Sequence, residues 1–170
     1  SDFIAYTGNG AEGVNQGIEL DWAFTATPKL SFNGSLGLLD SEFDNYVNGS
    51  GQSLDGRDQA HAPSYQFYVA ADYQISDALK LNLNAEGKDS FYFSDGHAEQ
   101  STSYALLGAS LAYELGDWRI ALWGRNLADE EYYVRGFSFP NDPRDNYTAV
   151  RWTQLSAPRQ IGLSVRLQMQ

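Results

Sequence analysis

Cysteine is absent from this chain, and with it go disulfide cross-links, thiolate nucleophiles and cysteine metal sites. No apolar run reaches the roughly eighteen residues of a spanning helix, so any membrane crossing has to be made by strands. The first residues show no charged, apolar and small-residue pattern of a secretion signal. Basic residues are few: 11 Lys and Arg against 22 Asp and Glu give a net charge of -11, the opposite of a nucleic-acid footprint, and no nucleic-acid partner is expected. The two histidines, His61 and His97, stand alone in polar loops with no second ligand at metal spacing, so neither a metal nor another cofactor is expected. What the chain does have is apolar content. Its 170 residues are 42% hydrophobic and 14% aromatic, enough for one folded domain and far from a disordered composition.

The apolar residues recur with a period of two. In "LKLNLNAEG", Leu79, Leu81, Leu83 and Ala85 alternate with Lys80, Asn82, Asn84 and Glu86, the pattern of a strand with one dry and one wet face. The same template predicts strands over 17–26, 30–38, 65–75, 105–113, 118–125 and 161–169, after an opening strand at "FIAYT". The helix template does not recur. The fold class expected is all-β, an antiparallel up-and-down meander of about eight strands.

Period two alone does not say whether the dry face packs inside a soluble sandwich or faces lipid. The connections discriminate. "TPK", "SDA" and "GD" are tight turns, and they alternate with long segments: "DNYVNGSGQSLDGRDQAHA", "SDGHAEQST" and the piece from Asn126 to Ala157. All short turns then lie at one end and all long loops at the other, as in a transmembrane β-barrel with periplasmic turns and extracellular loops. Trp22, Phe24, Tyr73, Tyr113 and Trp118 near the short turns, and Phe43, Tyr46, Tyr65, Phe67, Phe91, Tyr92, Phe93 and Tyr104 near the long loops, read as two interfacial girdles. Leu79, Leu81, Leu83, Leu107, Leu111, Leu163 and Val165 are expected to face lipid, and the Lys, Asn and Glu row a watery lumen.

Three apparent chemical motifs do not fit this setting. "GNGAEG" satisfies the dinucleotide fingerprint, but alternating "GIELDWAF" follows where a helix should begin. "DSEFDN" spaces Asp40, Glu42 and Asp44 like the start of a calcium loop, without its Gly at the sixth or Glu at the twelfth position. The run Asp129, Glu130, Glu131 reads as a solvated loop, since no second carboxylate can be placed across a cleft from it. No catalytic residue is assigned and no enzyme is expected.

"GRNLADEEYYVRGFSF" (Gly124 to Phe139), with "GVNQGIELD", "HAPSYQFYVAADYQIS" and "LSAPRQIGLSVRL", closely resembles the C-terminal portion of TonB-dependent outer-membrane receptors, over nearly the whole chain and in the family's order. The resemblance implies a segment, residues 1–170, of a twenty-two-stranded barrel whose plug and N-terminal strands are absent here. It also implies the bacterial outer membrane, energy-dependent uptake of a scarce ligand such as a ferric siderophore, vitamin or oligosaccharide, and, as partners, membrane lipid, the missing barrel and plug segment, and the TonB complex acting through that plug. One departure is the ending "RLQMQ", where family barrels finish on an aromatic residue. Two other readings are a self-contained eight-stranded outer-membrane barrel and a soluble carbohydrate-binding β-sandwich. The ligand is unnamed by the sequence. Tyr132, Tyr133, Arg135 and Phe137 are candidates to face it, because loop aromatics and an Arg can stack on and hydrogen-bond to sugars or chelates. Packing of the loops against one another is the preferred use of the same residues.

Overall fold

The computed structural model describes residues 12–168, which leaves "FIAYT" and Met169 outside the described residues. Nine strands run through them: β1 (Glu12–Thr27), β2 (Leu30–Asp44), β3 (Tyr65–Ser76), β4 (Leu79–Lys88), β5 (Tyr104–Leu115), β6 (Trp118–Arg125), β7 (Tyr133–Phe139), β8 (Val150–Leu155) and β9 (Gln160–Leu167). Seven form one sheet in the order β1-β2-β3-β4-β5-β6-β9, every pair antiparallel, and β7 and β8 form a separate hairpin. The predicted strands within the described residues are all present. The hairpin is new: the piece from Asn126 to Ala157 is not one open loop but holds β7, a one-turn 3-10 helix at Pro143–Asp145, and β8.

Register carries the period of two across the sheet, so that each face is built of continuous rows. On one face Phe24, Phe32, Ala71, Leu83, Ala109, Gly124 and Ile161 stand side by side. One residue along, on the other face, the row reads Thr25, Ser31, Asp72, Asn82, Ser110, Trp123, Gly162. Among the described residues nothing is packed on the apolar face: Ile18 is 67% exposed, Phe24 60%, Leu107 50% and Leu163 66%. The buried hydrophobics among the described residues are only Leu54, Ala70, Phe91, Phe93 and Ala112, from the loops and the polar face. A soluble sandwich would bury its apolar rows against a second sheet, and among the described residues no second sheet covers them. β1 and β9 are not paired with each other, so the described strands do not close into a small barrel either.

The height of the apolar band is written in β2. Leu30, Phe32, Leu36 and Leu38 lie on the apolar face, and the same face continues as Asp40, Glu42 and Asp44. Nine residues from Leu30 to Leu38 span about 26 Å along a strand, and somewhat less in height once tilted, close to the roughly 25 Å apolar band of outer-membrane barrels. The "DSEFDN" carboxylates are thus strand residues beyond that band, not a calcium loop, and Gln16 donates to Asp40 across the pair at 2.8 Å.

Aromatic placement differs from the two-girdle expectation at one end. Phe24, Tyr73, Tyr113 and Trp118 are exposed on the apolar face near the short turns. At the other end Tyr65 and Phe67 share that face, but Tyr104 stands on the polar face opposite Lys88, and Phe91 and Phe93 are buried in the loops. Rings in a crowded loop layer gain more from packing on one another than from a headgroup position.

Candidate functional site

The polar face and the layer of long loops above it form one continuous surface. At its upper end Glu19, Asp21, Gln66, Tyr68, Glu86 and Lys88 line an open trough of about 500 Å³. Alternation places them there, since each is the neighbour in sequence of a residue on the apolar face. Lower down, Lys80 pairs with Asp72 at 3.2 Å, Asn82 donates to Asp72 at 3.2 Å, and Asn84 donates to Asn82 at 3.0 Å. The two bonds to Asp72 tie β3 to β4, and the Asn84 bond runs along β4, through side chains that the apolar face lacks.

The loops are held together by two cations and several rings. Arg57, in the connection between β2 and β3, donates to the carbonyls of Ser94 and His97 in the connection between β4 and β5. Its guanidinium also lies 4.0 Å from the centre of the Tyr92 ring. Tyr46 donates to Asp95, and Asn48 donates to the Asp95 carbonyl at 3.2 Å. Lys88, at the end of β4, holds its ammonium 4.5 Å from the Phe91 ring centre and 5.8 Å from that of Tyr104. His97 is largely covered, with Nδ1 2.8 Å from Glu99, whereas His61 is exposed with its ring 5.3 Å from Phe91. Among the described residues no group of three His, Asp or Glu side chains is placed to hold a metal ion.

The four ligand candidates are split. Tyr132 stacks on Tyr104, ring centres 3.6 Å apart and planes 20° from parallel, which is a loop-packing arrangement. Tyr133 opens β7 opposite Leu155. Arg135 and Phe137 share one face of the hairpin opposite Gln154 and Trp152, with Phe137 50% exposed. The other face of the hairpin docks through Gly136, where any side chain would meet the Phe93 ring. Lys88 and Arg57 are not singled out from sequence, and Tyr92 is expected there only as a girdle ring. Their signal is weak, because cation–ring pairs across separate loops leave no spacing rule.

Asn126 explains why "GRNLADEEYY" and "SAPRQ" occur together. It is buried with φ of 49°, accepts from the Glu130 amide at 2.8 Å, and donates to the carbonyls of Glu130 at 2.9 Å and Ala157 at 3.2 Å. Asn is the side chain with both donor and acceptor that also tolerates this left-handed backbone. Beside it the Asp129 carboxylate accepts from the Arg159 amide at 2.8 Å. The start and end of the last long connection are therefore stitched at one point, where β6 hands over to β9.

The family model described as TonB dependent receptor-like, beta-barrel, matches residues 1–127. The ferric yersiniabactin uptake receptor FyuA from Yersinia pestis superposes with a TM-score of 0.77 at 20% identity, over 94% of this chain and 24% of its own. For the siderophore receptor PiuA from Acinetobacter baumannii the TM-score is 0.70 at 19% identity, over 91% of this chain and 22% of that one. The ferric citrate transporter FecA in its unliganded form gives 0.70 at 18%, over 92% and 24%. At these identities the likeness to solved structures is one of fold, and the chain spans about a quarter of the length of those receptors. The family is one of receptors and transporters, not a class of enzyme. With the barrel family matched over residues 1–127 and the open sheet overlaying barrel wall, the chain belongs to the TonB-dependent receptor-like β-barrel family.

Proposed function

We propose that this chain is the C-terminal part of the wall of a bacterial outer-membrane receptor that imports a scarce ligand with energy supplied by a TonB complex, the plug and the remaining strands being contributed by segments outside it. The observation that carries the reading is the two-faced sheet, with an uncovered apolar band about as tall as a bilayer core and a polar trough on the reverse. Leu79, Leu81, Leu83, Leu107, Leu111, Leu163 and Val165 share the apolar face and meet lipid; Tyr133, Arg135 and Phe137 are offered to ligand by the hairpin, and Tyr132 supports them from its stack on Tyr104. The ligand class that the family neighbours favour is a ferric siderophore, since receptors for ferric yersiniabactin and for siderophores share the fold. The test is a binding screen on the complete receptor in outer membranes with ferric chelates, cobalamin and oligosaccharides. Saturable binding of a ferric chelate, weakened by Arg135→Ala or Phe137→Ala, is the expected result; binding of an oligosaccharide or cobalamin alone would overturn the ligand class, and labelling of the seven leucine and valine positions by an aqueous reagent would overturn the wall.

A further inference from the structure

Three glycines punctuate the connection between β2 and β3, and one of them has no backbone reason to be glycine. Gly51 and Gly56 have φ of 78° and 71°, a region that side chains rarely adopt, whereas Gly49 shows no positive φ and a Cβ added to it would meet nothing within 4 Å. What sets Gly49 apart is that it follows Asn48. An Asn–Gly pair cyclises more readily than other Asn-containing pairs, because no β-carbon shields the glycine amide nitrogen from the side-chain amide before it. The surroundings of Asn48 both prime this reaction and restrain it. Its Oδ1 accepts from the Ser50 and Gln52 amides, each at 3.0 Å, two donors aimed where negative charge would develop on attack. Among the described residues no hydrogen bond engages the Gly49 amide. Against this, Asn48 is only 5% exposed, and its Nδ2, the nitrogen that would leave, donates at 3.2 Å to the Asp95 carbonyl in the connection between β4 and β5. That bond keeps the amide plane from turning towards Gly49. The priming donors lie within one loop, and the restraint lies between two.

We propose that Asn48–Gly49 is a covalent modification site, deamidated through a succinimide when connection 45–64 separates from connection 89–103, and that the product keeps the two apart. In the first step the Gly49 nitrogen loses its proton and bonds to Asn48 Cγ, the Cγ–Nδ2 bond breaks, and Nδ2 takes up a proton and leaves as ammonia. Water then adds to either carbonyl of the ring and opens it to aspartate or isoaspartate. The net exchange is water in and ammonia out, with no oxidant or reductant. Separation of the loops supplies what the closed junction withholds, a free Nδ2 and access for water. The product does not fit the closed junction again. A carboxylate at position 48 has no donor for the Asp95 carbonyl and repels both that carbonyl and the Asp95 carboxylate, to which Tyr46 donates. An isoaspartyl link also adds a carbon to the main chain inside the turn that the Gly51 amide closes on the Asn48 carbonyl at 2.9 Å. Arg57 guards the same junction through its bonds to the Ser94 and His97 carbonyls.

The test ages the complete receptor in outer membranes under mild alkali and reads aspartate and isoaspartate at position 48 by peptide mapping, while heat-modifiable mobility verifies that each variant is folded. Little conversion is expected in the unaltered receptor. Arg57→Ala, which removes bonds of a charged donor across the junction, is expected to raise the rate about tenfold or more. Adding Gly49→Ala should bring the rate back down, since the new Cβ finds open space in the fold but crowds the attacking nitrogen. If Arg57→Ala does not fold, Tyr46→Phe, which removes the bond to Asp95, is read in its place. Asn48→Asp should leave both connections cleavable by limited proteolysis without any ageing. Equal rates with and without Arg57, no conversion in either, or conversion unaffected by Gly49→Ala would overturn the gated site. An Asn48→Asp receptor as resistant to protease as the unaltered one would overturn the locking of the loops, and none of these outcomes bears on the barrel wall or the ligand.

Discussion

Neighbouring residues of β4 make the sharpest distinction between the two faces. Leu81 lies on the apolar face beside Tyr73 and Leu111, and Asn82 on the polar face beside Asp72 and Ser110. Leu81→Arg in the complete receptor is expected to cost roughly 2–4 kcal/mol, as a midplane charge on the lipid face does. Asn82→Arg is expected to be tolerated, because its guanidinium would meet Asp72. Unfolding of the reconstituted receptor in denaturant measures both, and equal losses would contradict the two-faced sheet. Two glycines give a second residue-scale test. At Gly162 all three atoms nearest an added Cβ belong to the Trp123 ring, with Cε2 at 2.6 Å; at Gly34 they are the Trp22 ring, also with Cε2 near at 2.7 Å, and the Tyr68 carbonyl oxygen at 2.7 Å. Either Gly→Ala change is expected to cost about 1–3 kcal/mol through overpacking. Trp123→Ala should recover most of the loss at Gly162, since a side chain can be removed. Trp22→Ala should recover only part at Gly34, since the carbonyl stays. Double-mutant cycles on the same unfolding assay read the difference.

Strands and loops were unequally legible. The seven strands of the sheet could be read because one face is apolar and the other polar, which writes alternation into the sequence, and the sorting of short and long connections followed. The β7–β8 hairpin escaped notice because both its faces are mixed. Arg135 sits in the row of Phe137 and Phe139, Gln154 in the row of Trp152, a bulge breaks register between Tyr133 and Arg135, and no tight turn marks its tip. Of the candidate site, the polar row was legible and the cross-loop grip of Arg57 was not, since it depends on which loops come together in space. That grip makes its own prediction. Arg57→Ala is expected to loosen the connections 45–64 and 89–103 together by about 1.5–3 kcal/mol, the scale of hydrogen bonds from a charged donor, and limited proteolysis should show both becoming cleavable while the barrel stays heat-modifiable. At the hairpin tip, Asp142 caps the 3-10 turn by accepting from the Arg144 amide at 2.9 Å and from its guanidinium. The guanidinium bond, with the amide bond second, holds the Asp142 carboxyl below the usual carboxylate range. A depressed folded value means that the cap's contribution is complete above the unfolded carboxylate pKa of about 3.9 and is lost as pH falls through the lower folded value. Protection of the Arg144 and Asn146 amides, taken relative to their intrinsic exchange rates, should therefore hold across neutral pH and fall only in strong acid, and Asp142→Ala should lower it wherever the carboxylate is ionised and make no difference in strong acid.

For the whole molecule, the deciding feature is the open sheet. Among the described residues β1 carries a partner only on the side of β2 and β9 only on the side of β6, so each leaves a row of backbone N–H and C=O groups without a strand. Water can satisfy such an edge, but hydrocarbon cannot, and each unsatisfied group there costs several kcal/mol. β1 is the more exposed liability, with 16 residues and Ile18, Leu20, Trp22 and Phe24 along its apolar side. Seven strands span too little circumference to curl back on themselves around the polar side chains they carry, and the solved receptors of this fold are about four times as long. The 170 residues on their own are therefore expected not to transport and not to persist as closed monomers: in detergent they should self-associate through β1 and β9 or aggregate, and with the segment that supplies the remaining strands they should pair. Refolding into detergent and liposomes, with and without that segment, followed by oligomeric state and heat-modifiable mobility, gives the answer. Recovery of a discrete heat-modifiable species and of ligand binding only when the segment is added is the expected outcome. A stable monomer that binds ligand unaided would mean that the two edges find each other, and would make this chain a barrel in its own right.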